Sequence, residues 1–184
     1  MQIKGLHKLS VIDFPNKIAC IIFFGGCNFR CSYCYNKSLV LDEEASTYSQ
    51  EEVFDFLKSR VGLLDGVVVS GGEPTLNKEL PEFLGKIKEI GFLIKLDTNG
   101  SNPEMLNHLI GKKLVDYLAM DLKAPFNSYQ NACKSNISIE KLKESIKFIS
   151  NSNIEHELRA TVLPALHSKE DIIEASDFKF ENKD

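Results

Sequence analysis

At 184 residues, with 43% hydrophobic and 26% charged side chains, the chain has the size and composition of one globular domain, not of a disordered or multi-domain protein. A formal net charge of -4 provides no basic footprint for nucleic acid. The longest apolar run, IACIIFFGGC, is too short to span a bilayer, and the first residues lack a signal peptide's apolar core and cleavage site. A cytoplasmic protein with no membrane or nucleic-acid partner is expected.

The elements are expected in a regular alternation. Residues 1–17 form a lead, followed by IACIIFF at 18–24, a continuous β-prone run suited to a strand buried on both faces. Ser49 and Glu52 form a capping box that opens a helix carrying Val53, Phe54 and Leu57 on one face. Asp65-Gly66 turns the chain into a strand at 67–69. Asn77 is the expected cap of a helix bearing Leu80, Phe83, Leu84, Ile87 and Ile90, which Gly91 closes. Strands are expected at 92–96 and 114–120, separated by a helix that starts at Asn102-Pro103 and stops at Gly111. After a polar loop at 124–137 come a helix at 138–150 and a strand at 154–163. On that strand Ile154, His156, Leu158, Ala160 and Val162 share the apolar face, and Arg159 alternates away from it. Ser168 and Asp171 can cap a last short helix before a polar tail at 177–184. Strand–helix alternation without an internal linker predicts a single α/β domain built on a parallel sheet.

In such sheets functional groups collect at the carboxyl ends of the strands. Four loops meet that condition: GGCNFRCSYCYN at 25–36, SGGEPT at 70–75, DTNG at 97–100 and DLKAP at 121–125. The first places Cys27, Cys31 and Cys34 in a C-x3-C-x2-C spacing. Three crowded thiols in a reducing compartment point to a metal or redox role over a disulfide framework. Three cysteines on a four-iron cluster would leave one iron open to a substrate, as catalytic metal sites do; a closed zinc site would need a fourth ligand from Cys20, Cys133 or one of the four histidines. Cys20 sits in an apolar strand and Cys133 stands alone in a polar loop. Gly71 and Gly72 permit close approach of a ligand to the backbone. Asp97, Asp121 and Lys123 read unaided as solvated loop charges; an interior Arg159 needs an anionic partner such as a ligand carboxylate, and a surface salt bridge is its alternative. His156 reads as a core residue, and His7, His108 and His167 as surface or loop residues.

CNFRCSYC together with SGGEP resembles the radical S-adenosylmethionine (SAM) enzymes. GLHKLSVIDFPNKIACIIFFGGCNFRCSYCYN, DTNG and DLKAP resemble a narrower group, the anaerobic ribonucleoside-triphosphate reductase activating proteins, which are similar to pyruvate formate-lyase activating enzymes. The resemblance runs from about residue 3 to about residue 175. It implies a partial parallel (β/α)6 barrel, here truncated after the fifth strand and helix so that one edge is exposed. It implies a [4Fe-4S] cluster on Cys27, Cys31 and Cys34, with SAM on the unique iron. Tyr33 would lie near the adenine, and Gly71, Gly72 and Glu73 would meet the methionyl amino group. Asp97 and Thr98 would follow the third strand into the site, and Asp121 and Lys123 would lie near the ribose and carboxylate. Relatives also bind a monovalent cation near Asp97 and Asp121. The implied chemistry is reductive SAM cleavage to a 5′-deoxyadenosyl radical, which generates a glycyl radical on a large partner enzyme. Flavodoxin or ferredoxin would serve as electron donor. Many relatives have His after the third cysteine, where this chain has Tyr35, and the loop 35–48 lacks the cysteines of a ferredoxin-like insert. Two other readings compete: a radical SAM enzyme acting on a small molecule such as a 7-deazaguanine precursor, and a non-enzymatic metal or redox-binding module.

Overall fold

The computed structural model describes residues 1–41, 47–163, 167–170 and 173. Six strands form one sheet: β1 (Ile3–Ser10), β2 (Ala19–Phe24), β3 (Gly66–Gly71), β4 (Leu93–Thr98), β5 (Tyr117–Leu122) and β6 (Glu155–Ala160). Their spatial order is their chain order. β2 to β6 run parallel, and β1 pairs antiparallel with β2. The helices are α1 (Lys37–Leu41), α2 (Gln50–Lys58), α3 (Leu80–Ile90), α4 (Pro103–Gly111), α5 (Tyr129–Cys133) and α6 (Ile139–Ser150). This is the expected α/β architecture, with five parallel strands joined by helical crossovers.

The long elements follow their sequence signals. All of β2 but Phe23 is buried, as a strand covered on both faces requires. The Ser49 hydroxyl accepts the Glu52 N–H while the Glu52 carboxylate accepts the Ser49 N–H, completing the capping box of α2. Leu80, Phe83, Leu84 and Ile87 bury one stripe of α3, which Gly91 ends with a φ of 106°. Asn102 caps α4, with Pro103 in its first turn. The core is continuous from Ile3 to Ile149 and includes Cys20, whose thiol burial pushes up to about 12.

Four expectations change. The 1–17 lead contains a strand, β1. Only Ile3, Lys4 and Ser10 of it are buried and its register slips twice, so no period-2 apolar pattern marks it. The 124–137 loop contains α5, which buries Tyr129, Ala132 and Cys133 but is too short to show a helical period. Asn77 ends a 3-10 turn at Pro74–Leu76, and α3 starts after Glu79, with Pro81 in its first turn. On β6 the expected apolar face is only partly covered: Ala160 is exposed and His156 half-buried. Among the described residues β6 pairs only with β5 and forms the sheet's edge. Of the expected final helix, residues 169–170 and 173 are helical, and the remainder, with the 177–184 tail, lies outside the described residues.

Candidate functional site

Parallel pairing carries the loops after β2, β3, β4 and β5 to one edge of the sheet, where they enclose a cavity of about 390 Å³. That is within the span of small-molecule sites, roughly 300–1,000 Å³. Cys27, Cys31 and Cys34 line it from the first loop, beside Tyr33 and Tyr35. Gly71, Gly72 and Glu73 come from the second, Asp97 and Thr98 from the third, and Asp121 and Lys123 from the fourth. Arg159, on β6, reaches the same edge through ion pairs. All twelve residues singled out in the sequence therefore meet in one region.

The glycines answer to the chain's own backbone first. A Cβ on Gly72 would lie 1.9 Å from the Gly26 carbonyl oxygen, and one on Gly71 would lie 2.3 Å from both the N and O of Phe24. Gly72 N–H donates to the Phe24 carbonyl at 2.9 Å, and Glu73 N–H to that of Gly26 at 2.8 Å. The second loop is thus pressed against the strand end that launches the cysteines.

Glu73 is 1% exposed and ties the second loop to the third. It accepts from the Thr75 hydroxyl and N–H, from Thr98 Oγ1 at 2.8 Å and from Asn99 N–H at 2.6 Å. Burial pushes its carboxyl above the ordinary range, and these donors offset part of that push. Glutamine at this position would turn an amide donor toward groups that all donate. Glu73→Gln should therefore lower unfolding stability by about 1–3 kcal/mol, as read from urea melts, the cost of buried donors left unpaired. An unchanged midpoint would mean that the carboxylate is not the brace described.

Neighbours that the sequence did not mark complete the site. Asn99 Nδ2 lies 3.8 Å from Cys27 Sγ and 2.9 Å from Asn28 Oδ1. Cys133 does not stand alone: it is fully buried in α5, and its thiol hydrogen-bonds that of Cys31. This bond lowers the Cys31 thiol to about 7 and raises that of Cys133. Burial pushes Cys27 up to about 11. The Tyr33 hydroxyl donates to the Lys123 carbonyl at 3.0 Å. His167, expected at the surface or in a loop, lies in a loop and is half-buried: its Nδ1 accepts the Leu163 N–H at 3.0 Å, leaving Nε2 to donate to the Lys123 carbonyl at 3.1 Å. Tyr35 is fully exposed.

The charged groups also find partners within the chain. Arg159 Nε donates to Asp121 Oδ1 at 2.9 Å, and its NH2 lies 3.4 Å from Asp97 Oδ1. The anionic partner expected for Arg159 is thus supplied by the protein. Lys123 Nζ bonds Asp121 Oδ2 at 3.0 Å; burial works against its charge, but Asp121 holds its pKa above the ordinary lysine range. Lys95 Nζ, 2.6 Å from Asp97 Oδ1, is a further cation the sequence reading did not weigh.

A parallel α/β sheet whose strand-end loops bring three thiols, a double glycine and an Asp-x-Lys to one cavity defines a radical SAM-type fold. The chain belongs to the radical SAM superfamily, which it matches over residues 21–178. Within it, the chain is 39% identical over 178 residues to a Methanocaldococcus jannaschii protein that carries the name of a glycyl-radical enzyme activating enzyme, covering 92% of this chain and 72% of that one. It is 28% identical to the pyruvate formate-lyase-activating enzyme of Clostridium pasteurianum, covering 93% of this chain and 73% of that one. The fold matches a radical SAM methyltransferase from Sphaerobacter thermophilus with a TM-score of 0.68 at 16% identity, over 90% of this chain and 53% of that one. The chain thus spans about half the length of that solved protein. No helix among the described residues is long and apolar enough to cross a membrane.

Membership makes the chain an enzyme of the radical SAM kind, with a [4Fe-4S] cluster and SAM as its cofactors. The donor set fits. Three thiols on one loop border one cavity, the soft ligands that an iron–sulfur cluster takes. A monovalent cation fits less well, because Asp97 and Asp121 already carry ion pairs to Lys95, Lys123 and Arg159.

Proposed function

We propose that this chain is an activase that installs a glycyl radical on a large partner enzyme, and that the partner is an anaerobic ribonucleoside-triphosphate reductase. The observation that carries the reading is the convergence of Cys27, Cys31 and Cys34 with Gly71-Gly72 and Asp121-x-Lys123 on one cavity. Cys27, Cys31 and Cys34 would hold the cluster. Gly71, Gly72, Thr98, Asp121, Lys123 and Arg159 would border SAM, and Tyr33 would sit by its adenine. When bound, these cofactors supply one-electron cleavage of a carbon–sulfur bond and a carbon radical able to abstract hydrogen.

The chain's own residues do the positioning. Glu73 fixes the second and third loops to each other, so the glycine backbone and Thr98 keep their spacing. Tyr33 and His167 grip the Lys123 carbonyl from two sides, and Asp121 holds its ammonium. Phe29, Tyr33 and Val40 add apolar surface to the cavity wall beside the thiols. A low-potential donor of the flavodoxin or ferredoxin type would supply the electron.

Incubating the anaerobically reconstituted protein with SAM, a reductant and the reductase should produce a glycyl-radical doublet in the electron paramagnetic resonance spectrum of the reductase. SAM cleavage without that doublet, alongside a doublet on a formate-lyase-type partner, would move the assignment to that partner.

A further inference from the structure

We propose that the Lys95 ammonium is a built-in replacement for the monovalent cation implied by resemblance near Asp97 and Asp121, so that this site works without an alkali ion. The inference rests on the radical SAM reading of the cavity and concerns one positioning residue within it.

Lys95 and Asp97 stand two apart on β4, so both side chains leave the same face of the sheet. Lys95 is 1% exposed and lies between strands whose neighbouring residues are apolar. A lysine so deeply buried must find a carboxylate. Its Nζ lies 2.6 Å from Asp97 Oδ1 and 3.8 Å from Glu157 Oε1, with the Tyr117 ring centroid 5.8 Å away. The ammonium thus sits against Asp97 Oδ1, the same carboxylate oxygen that faces the Arg159 guanidinium.

Among the described residues, each carboxylate of this cluster is paired with a cation. Arg159 joins Asp97, Asp121 and Glu157, at 3.4, 2.9 and 3.8 Å. Lys123 takes the other oxygen of Asp121 at 3.0 Å. Among the described residues the network comprises three cations, Lys95, Lys123 and Arg159, and three carboxylates, Asp97, Asp121 and Glu157. A further unit of positive charge would enter a balanced cluster and meet a fixed ammonium at Asp97. Without Lys95, the same cluster would carry one unmatched negative charge beside two oxygen-rich side chains, which is a setting that suits an alkali ion.

The test uses the full chain before cluster reconstitution, so its first readout does not depend on cofactor loading. Melting midpoints are compared in potassium, sodium and choline chloride at equal ionic strength. The unaltered protein should melt at the same temperature in all three. Lys95→Met should melt lower in choline by several degrees, on the order of 10 °C. Potassium or sodium should recover at least half of that loss in a saturable manner. Lys95→Arg, which keeps the charge, should stay insensitive to the salt. Saturable stabilisation of the unaltered protein by potassium or sodium over choline overturns the proposal. So does a Lys95→Met protein that responds to no alkali ion. If Lys95→Met does not fold, the unaltered protein and Lys95→Arg still decide, since either one responding to alkali ions overturns it. A second arm measures SAM binding by the reconstituted protein in choline. Retained affinity supports the proposal. Affinity that appears only with an alkali ion overturns it, whereas SAM binding in none of the salts overturns the reading of the cavity on which it rests.

Discussion

Alanine at Cys27, Cys31 or Cys34 should each leave the anaerobically reconstituted protein without iron–sulfur visible absorption and without reductive SAM cleavage. Bound iron should fall to the level found before reconstitution. Each thiol borders the cavity, and the loop that carries them follows β2 directly. Removing one soft ligand from a three-thiol set leaves two anchors for a cluster that needs three, so the loss should be nearly complete in each variant. Cys20→Ala should keep the absorption, because Cys20 is fully buried near the start of β2, at the opposite end of the strand from the cysteine loop.

Cys133→Ser is the more searching control. Cys133 touches Cys31 through its thiol, and its carbonyl accepts the Arg30 N–H at 2.7 Å and the Ser135 hydroxyl at 3.1 Å. Cys133 therefore braces the cysteine loop from behind, and it is absent from the cavity lining. The serine variant should retain iron, cluster absorption and SAM cleavage, with a modest loss of stability. Loss of iron on the same scale as Cys31→Ala would mean that Cys133 is a fourth ligand and the site is closed. A closed site would remove the open position that SAM requires and return the chain to the class of metal-binding modules.

The residues that show what the sequence could and could not reveal are neighbours in space. The order of strands and helices was legible because α2, α3, α4 and α6 each bury one stripe and carry their own capping residue. The cavity was legible because every candidate loop follows a parallel strand, and parallel strands must present those ends together. The contacts within the site were not. Cys133 lies 102 positions from Cys31, and only the five-residue helix α5 brings it there. Asn99 sits in a motif that was noticed, yet its approach to Cys27 depends on Glu73 pinning the third loop. Lys95 could have been found, since it shares a strand face with Asp97, but an isolated lysine in an apolar strand normally reads as solvent-facing. Arg159 had two open readings, a ligand anion and a salt bridge, and pairing decided between them. Its need for an anion was sound, but β6 pairs in register with β5, which sets Arg159 opposite Asp121.

Gly72→Ala should disable the site from outside the cysteine motif. The added methyl carbon would sit 1.9 Å from the Gly26 carbonyl oxygen and 2.5 Å from its carbon, both backbone atoms with no rotamer to change. Gly26 in turn is fixed by donating to the Leu39 carbonyl at 2.7 Å and accepting the Glu73 N–H at 2.8 Å, with a φ of 81°. The clash can be relieved only by separating the second loop from the residue next to Cys27. The expected cost is about 1–3 kcal/mol or more, the range for overpacking a tight contact. Cluster loading and SAM cleavage should both fall, because the thiols and the glycine backbone would no longer keep their spacing. Gly85→Ala provides the comparison. Gly85 lies within α3, and an added Cβ there meets nothing within 4 Å. That change should raise stability by about 0.5–1 kcal/mol through helix propensity alone and leave cluster loading intact. Equal behaviour of the two variants in thermal melts and iron content would show that the loop after β3 is not held against the cysteine loop as described. A Gly72→Ala protein that folds stably but loads no cluster would place the defect at the site itself and confirm the coupling between the two loops.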